Sequence, residues 1–272
     1  MERAIRMLDS VTGRQMMSLV ITTEDGRVIV IDGGYREDAP RLLACLREVT
    51  GQDVPHVDAF WLTHPHSDHM HAFMELCEHH ADEWTFDGVY FHFPSVQFIA
   101  AEDREYVYLA EFYEKIGLFA HKMHIVSAGD VYLFGEARID VLYTTDDSFH
   151  RNVCNNASTV FRLTLGGKRV LITGDCGVEA GQKLLRLYGA EGLHAEICQM
   201  SHHGQNGCDR DFYAAVSPEI CLWCTPKWLW DNDAGKGYNT HMWKTVIVRG
   251  WMQELGVREN YVTKDGTQII RL

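Results

Sequence analysis

Proline is scarce in this chain, with six residues in 272, and neither a low-complexity tract nor an apolar run of membrane-spanning length interrupts it. Collagen-like, linker-rich and helical membrane classes are thereby excluded. Positive charge is also in short supply. Lys and Arg total 25 against 38 Asp and Glu, a formal charge of −13. Phosphate neutralisation needs clustered cations, so this balance argues against a broad nucleic-acid-binding face. The opening "MERAIRMLDSVTG" lacks an apolar core of signal-peptide length, and a soluble, cytoplasmic protein is expected. Eight cysteines are present, but nothing spaces them like a secreted disulfide scaffold. "CLWC" at Cys221–Cys224 matches a redox or zinc pattern, yet it reads as strand, where residues three apart face opposite sides. Core thiols are expected there.

What the chain does have is alternating apolar periodicity over its whole length, with 46% hydrophobic residues. Strands are predicted near residues 17–23 and 27–31, joined by the turn "TEDGR", and a helix follows over 38–51 with Pro40 in its first turn and Gly51 at its stop. Further on, "DGVYFHF" reads as strand and residues 95–117 as one long helix. "ARIDVLYT", "STVFRLTL" and "KRVLITGD" read as strands, with "GGK" as a tight turn. The carboxyl-terminal half predicts helices over 177–188, 209–216 and 240–255, and strands over 196–201, 219–225, "ENYVT" and "TQIIRL". Strands alternate with helices without an intervening linker. Residues 1–272 are therefore expected to form one layered α/β domain.

The chemistry concentrates in "FWLTHPHSDHMHAF". His64, His66, Asp68, His69 and His71 fall within eight positions, directly behind the buried-looking run Phe60, Trp61, Leu62. Pro65 forbids a regular ladder or helix interior there, while Met70, Phe73, Met74 and Cys77 recur at helical spacing. The cluster thus sits on a strand-to-helix loop. His64 and His66, two apart and extended, can point the same way, and Asp68 opens the helix, where its charge is favoured. Neutral imidazoles with a carboxylate are the donors that zinc, iron or manganese take.

Two further strand ends carry similar groups. "VLITGDCG" places Asp175 after a central strand, and "ICQMSHHGQNG" ends a strand in His202 and His203. Adjacent histidines point in different directions, so one can bind metal while the other handles a proton.

"THPHSDH", then "TGD", then "SHHG" resemble the metallo-β-lactamase superfamily, and within it the competence-protein-like and phosphorylcholine-esterase-like members. "VIVIDGG" (Asp32), "NNAST" before the "GGKRVLITGD" hairpin, and the tail "NTHMWKTV" extend the resemblance over nearly the whole chain. It implies a four-layer αββα sandwich with a dinuclear site at one edge of the two sheets. It further implies that His64 and His66 bind one metal, Asp68 and His69 the other, and that Asp175 bridges them. His202 or His203 completes the second site; His202 is taken as the ligand and His203, with Asp68 and His241, as a catalytic group. Where many members carry a glycine–histidine–threonine context, this chain has "LYTTDDSFHRNVCNN". Asp147 is taken as the missing ligand, with Asp146, His150 and Cys154 as alternatives.

Two divalent ions roughly 3.5–4 Å apart can share a hydroxide and clamp the attacking and leaving oxygens of a displacement. The expected function is a two-metal hydrolase acting on a phosphoester of a small molecule, with zinc foremost and manganese or iron as alternatives. A nuclease, a lactone, thioester or β-lactam hydrolase, and a non-hydrolytic metal-dependent binding or redox module are the rival readings. Five tryptophans between Cys221 and Trp251 could grip a cationic head group, or simply pack.

Overall fold

The computed structural model describes residues 1–102 and 105–272. Its strands, in chain order, are β1 (Ala4–Met7), β2 (Leu19–Thr22), β3 (Val28–Ile31), β4 (His56–Val57), β5 (Ala59–Trp61), β6 (Thr85–Phe86), β7 (Val89–Phe91) and β8 (Met123–Ile125) in the first half. The second half supplies β9 (Val131–Phe134), β10 (Ala137–Tyr143), β11 (Val160–Leu165), β12 (Lys168–Ile172), β13 (Ile197–Gln199), β14 (Ile220–Trp223), β15 (Glu259–Val262) and β16 (Gln268–Arg271). The helices are α1 (Ala39–Thr50), α2 (Ser67–His79), α3 (Val96–Glu102), α4 (Tyr106–Glu114), α5 (Val153–Asn156), α6 (Val178–Leu193), α7 (Arg210–Val216), α8 (Lys227–Trp230) and α9 (Thr245–Glu254).

Two mixed seven-stranded sheets form, in the orders β16-β1-β2-β3-β5-β7-β8 and β15-β14-β13-β12-β11-β10-β9. Period-two patterning explains how they stack. In β3, Ile29 and Ile31 face the layer between the sheets, while Val28 and Val30 face the helices outside. In β5, Trp61 points inward and Phe60 outward. The second sheet repeats this: Leu222 and Cys224 face the inter-sheet core, whereas Cys221 and Trp223 face the helical layer. The two thiols of "CLWC" therefore lie on opposite faces, and all eight cysteines are buried and outside any disulfide among the described residues. With both faces covered, the central strands read as continuous apolar runs. Helices, sheet, sheet and helices make four layers, the αββα arrangement of the metallo-β-lactamase fold.

Local signals place most elements. Pro40 occupies the first turn of α1, and Gly51 ends it with φ 67°. The β11–β12 hairpin turns on Gly166 and Gly167, both at positive φ, as its two-residue loop requires. Two expectations are corrected. Residues 95–117 hold α3 and α4 rather than one helix; Asp103 and Arg104, within that stretch, lie outside the described residues. The last long helix begins at Thr245, not at residue 240, because polar side chains upstream capture local backbone groups. Asp233 Oδ1 accepts from the amides of Gly235, Lys236 and Gly237 at 2.7–2.9 Å, and Asn232 donates to the His241 carbonyl at 2.8 Å. Strands β1, β8 and β9 carry no strong pattern of their own and form by pairing with neighbours.

The strand directions position the site. β3, β5 and β7 run parallel in one sheet, and β12, β13, β14 and β15 run parallel in the other. Their carboxyl ends emerge along one edge of the sandwich, the usual place for ligands in parallel sheets. Among the described residues, no helix is long and apolar enough to cross a membrane.

Candidate metal centre

Five strand ends deliver polar side chains to this edge. β3 leads to Asp32, β5 to Thr63, His64 and His66, β12 to Asp175, β13 to His202 and His203, and β14 to Cys224 and Thr225. The first turn of α2 adds Asp68 and His69. All except His66 and His202 are buried.

The donors fall into two groups. His64, His66 and Asp175 offer ligand atoms within 4.8 Å of one another, as do Asp68, His69 and His203. Asp175 lies between them. Its carboxylate is 3.4 Å from the Nε2 atoms of His69 and His203 and 3.8 Å from those of His64 and His202. Asp68 Oδ2 is 3.2 Å from His203 Nε2.

Each buried ring is fixed by its outer nitrogen. His69 Nδ1 is 2.7 Å from Asp32 Oδ2, and His203 Nδ1 is 2.8 Å from the Cys224 carbonyl. His64 Nδ1 lies 3.1 Å from Thr63 Oγ1, which itself donates to Asp32 at 2.7 Å. These contacts leave His69 Nε2 and His203 Nε2 facing inward, and both, with Asp175 Oδ1, are buried without a hydrogen bond. They stand near carboxylate oxygens but not in bonding geometry. Several such orphaned atoms in one place would each cost about 1–3 kcal/mol. A divalent cation would satisfy all of them, so the donor set fits a metal pair.

Electrostatics agree. Burial opposes ionisation of Asp175, but His203, His69 and His202 hold it well below the usual carboxylate range. Burial likewise resists charge on Asp68, which His69 and His203 keep ionised. Burial also works against charge on His203, yet Asp175 and Asp68 raise it to about 9. His64 goes the other way: burial, then repulsion from His69 and His66, holds it neutral. Asp32 is fully buried, and burial pushes its pKa up despite His69 and Thr63. The carboxylates thus carry buried negative charge that the imidazoles alone offset.

The backbone is bent to reach this geometry. Asp32, His202 and His203 all sit in the left-handed region, at φ 55°, 51° and 53°. Non-glycine residues there are strained, and such strain gathers at functional sites. Thr225 Oγ1 donating to the His203 carbonyl at 2.7 Å and His202 N donating to the Gly174 carbonyl at 3.1 Å hold the turn. Gly174 itself, at φ 53°, admits no side chain: a Cβ would lie 2.9 Å from that of Thr63.

Of the residues singled out by sequence, His64, His66, Asp68, His69, Asp175 and His203 are brought together. The pair of histidines divides differently from expectation: His203, not His202, belongs to the buried donor group. His202 stands at the rim with 17% side-chain exposure, its Nδ1 without a hydrogen bond. Asp147 is exposed and falls in neither group. Asp146 pairs with Lys183, and the exposed His150 lies 2.9 Å from Glu102. Cys154 is the one of these alternatives placed beside the cluster, buried next to His66 and Glu105. His241 is exposed and stacks on Trp243 at 3.7 Å between ring centroids. His71 faces Glu111 at 3.6 Å.

Sequence reasoning gave the supporting groups no site role, though it named Asp32. Asp32, Thr63 and Glu105 touch the histidines, and Gln15 donates to Asp68 at 3.3 Å. Asp32 alone gave a signal, an acid ending an apolar strand before two glycines.

The sequence model of the metallo-beta-lactamase superfamily matches residues 11–85. Over 106 residues the chain is 36% identical to the competence protein ComA of Neisseria gonorrhoeae, covering 38% of this chain and 14% of ComA. Among solved structures, CmlA, a diiron beta-hydroxylase from Streptomyces venezuelae, superposes with a TM-score of 0.61 at 12% identity, over 100% of this chain and 54% of CmlA. The metallo-beta-lactamase fold protein YhfI from Bacillus subtilis gives 0.58 at 12% identity, over 97% and 98% of the two chains. Zn(2+)-bound PqqB from Methylobacterium extorquens gives 0.55 at 12%, over 95% and 88%. At these identities the likeness is one of fold.

Proposed function

We propose that this chain is a member of the metallo-beta-lactamase superfamily and a two-metal hydrolase that cleaves a phosphoester of a small molecule. The observation carrying the reading is the place of Asp175, between the two donor groups, within 3.8 Å of His64, His69 and His203 and of His202 at the rim. His64 and His66 would hold one ion, Asp68, His69 and His203 the other, and Asp175 would bridge the two. Zinc suits this set, and the carboxylates leave manganese and iron as alternatives. A metal pair there supplies Lewis acidity and makes water acidic enough to attack at neutral pH.

The protein's own contributions follow from the geometry. Asp32 and the Cys224 carbonyl fix the tautomers of His69 and His203. His202, at the rim and outside the donor groups, takes the proton-donor role expected of whichever neighbour does not ligate. His241 lies exposed on the loop before α9, where it can contact substrate only from outside the buried cluster. The net charge of −13 favours a small-molecule substrate over nucleic acid, and a cytoplasmic setting accords with eight cysteines outside any disulfide.

The test combines metal analysis with turnover of bis-p-nitrophenyl phosphate, comparing wild type and Asp175→Ala. About two equivalents of metal, with turnover lost in the variant, supports the proposal. Because a diiron beta-hydroxylase shares the fold, the iron-loaded protein is also assayed for oxygen uptake. Oxygen consumption without ester cleavage would replace hydrolysis by redox chemistry.

A further inference from the structure

Building on the metal-centre reading above, we infer that Glu105 is a positioning residue for His66, and that through it the helical cover of the site becomes part of the first ion's binding apparatus. The argument begins with ring orientation. His64, His69 and His203 each tie Nδ1 to the protein frame and face inward with Nε2. His66 is turned the other way. Its Nδ1 lies 3.0 Å from His64 Nε2, facing the cluster, while its Nε2 lies 2.7 Å from Glu105 Oε2. The 2.7 Å approach is an ion-pair contact outside hydrogen-bond geometry; a proton held on Nε2 beside that carboxylate would leave the Nδ1 lone pair for an ion.

The source of the anchor distinguishes this histidine. Asp32, Thr63 and Cys224 lie at the ends of β3, β5 and β14, on the sheets themselves. Glu105 instead precedes α4, in the cover. That cover is seated by Ile99, Leu109 and Phe112 in the outer core, and by Glu111, which pairs with Arg36. The Glu105 side chain remains 47% exposed, so the contact with His66 is one the cover can make or release without opening the core. Cys154 lies beside the same two residues, its donor atom within 4.8 Å of theirs. A single ion held at His66 Nδ1 would lie across the ring from Glu105, which would make the carboxylate an orienting group rather than a ligand.

The experiment is a cobalt(II) titration of the full chain, followed by visible absorption and by competition with a chelating dye. It compares wild type, Glu105→Ala, Glu105→Gln and Cys154→Ser. The expected result is that Glu105→Ala weakens one of two cobalt equivalents by roughly 10–100-fold and leaves the other unchanged. Glu105→Gln, which keeps an acceptor oxygen, recovers part of that loss, and Cys154→Ser binds both equivalents as wild type does. The inference is overturned if Glu105→Ala retains both equivalents at wild-type affinity, or loses both alike. A thiolate-to-cobalt absorption band that disappears in Cys154→Ser would also overturn it, by placing an ion on the Cys154 side of the ring. Wild-type protein that binds no cobalt would instead bring down the metal centre itself.

Discussion

His202 and His203 are adjacent and chemically identical, and only backbone geometry separates their roles. Both occupy the left-handed region, but the hydrogen bond from Thr225 to the His203 carbonyl turns the second ring inward, where its Nδ1 meets the Cys224 carbonyl. We therefore expect His203→Ala to lose a metal equivalent, measured by elemental analysis. His202→Gln should keep both ions while kcat falls about 10²–10⁴-fold, the usual worth of a general acid. Equal metal loss in the two variants would refute this division. Asp32 acts one bond further out. Asp32→Asn retains the contact with Thr63 but not the charge facing His69, and the metal affinity of the Asp68–His69 site should fall about 10–100-fold, read by chelator competition. These residue-level assignments were half legible in the sequence. The H-x-H-x-D-H cluster announced itself by density, whereas Gln15, Thr63 and Glu105 are ordinary polar residues whose importance comes from what lies across from them.

At the scale of elements, the site depends on strand ends that are short and tightly joined. Gly174 links β12 to Asp175 against Thr63 of the other half, with Thr159 N donating to the Thr63 carbonyl at 2.8 Å nearby. Gly174→Ala would combine an unfavourable φ with a 2.9 Å approach to Thr63, so we expect a loss of about 2–4 kcal/mol in urea unfolding. A result under 0.5 kcal/mol would mean that the turn can relax. The starts of β12 and β13 are joined by a different device. Glu196 accepts from both the backbone and the guanidinium of Arg169, at 2.9 and 2.5 Å, which lowers its pKa from 4.5 to about 2. A carboxylate depressed on folding stabilises the fold above its unfolded pKa and loses that contribution as pH falls through the folded one. After allowance for solvent screening the contribution is about 1 kcal/mol. Glu196→Gln should therefore lower stability at pH 7 but not at pH 2. Unfolding midpoints across that range will show whether the difference vanishes between pH 4.5 and 2.

The whole molecule is two half-domains with matching sheets, each antiparallel on one flank and parallel on the other. The candidate metal centre lies where they meet, drawing His64, His66, Asp68 and His69 from one half and Asp175 and His203 from the other. Ions bound there would cross-link the halves. Chelation should then lower the unfolding temperature by several degrees, since an ion present at about a thousand times its Kd contributes about 4 kcal/mol. An unchanged melting curve after complete metal removal would argue that the halves are held by the inter-sheet core alone. That core, built on Trp61, Phe161 and their neighbours, is large enough to make folding without metal the expectation.

Sequence by itself determined the layers and most of the donors. Period-two and helical patterns are local properties of the chain, and they fixed which faces are apolar and where strands end in imidazoles and carboxylates. Tertiary structure decided the rest. The pairing of β16 with β1 carries the chain's last strand back to the first sheet, a contact between residues 270 and 5 that no local pattern encodes. The same long-range placement set Asp147 in solvent, brought Glu105 to His66 and put His203, rather than His202, in the buried donor group. Such choices depend on which side chains meet across a folded interior, and meeting is a property of the fold.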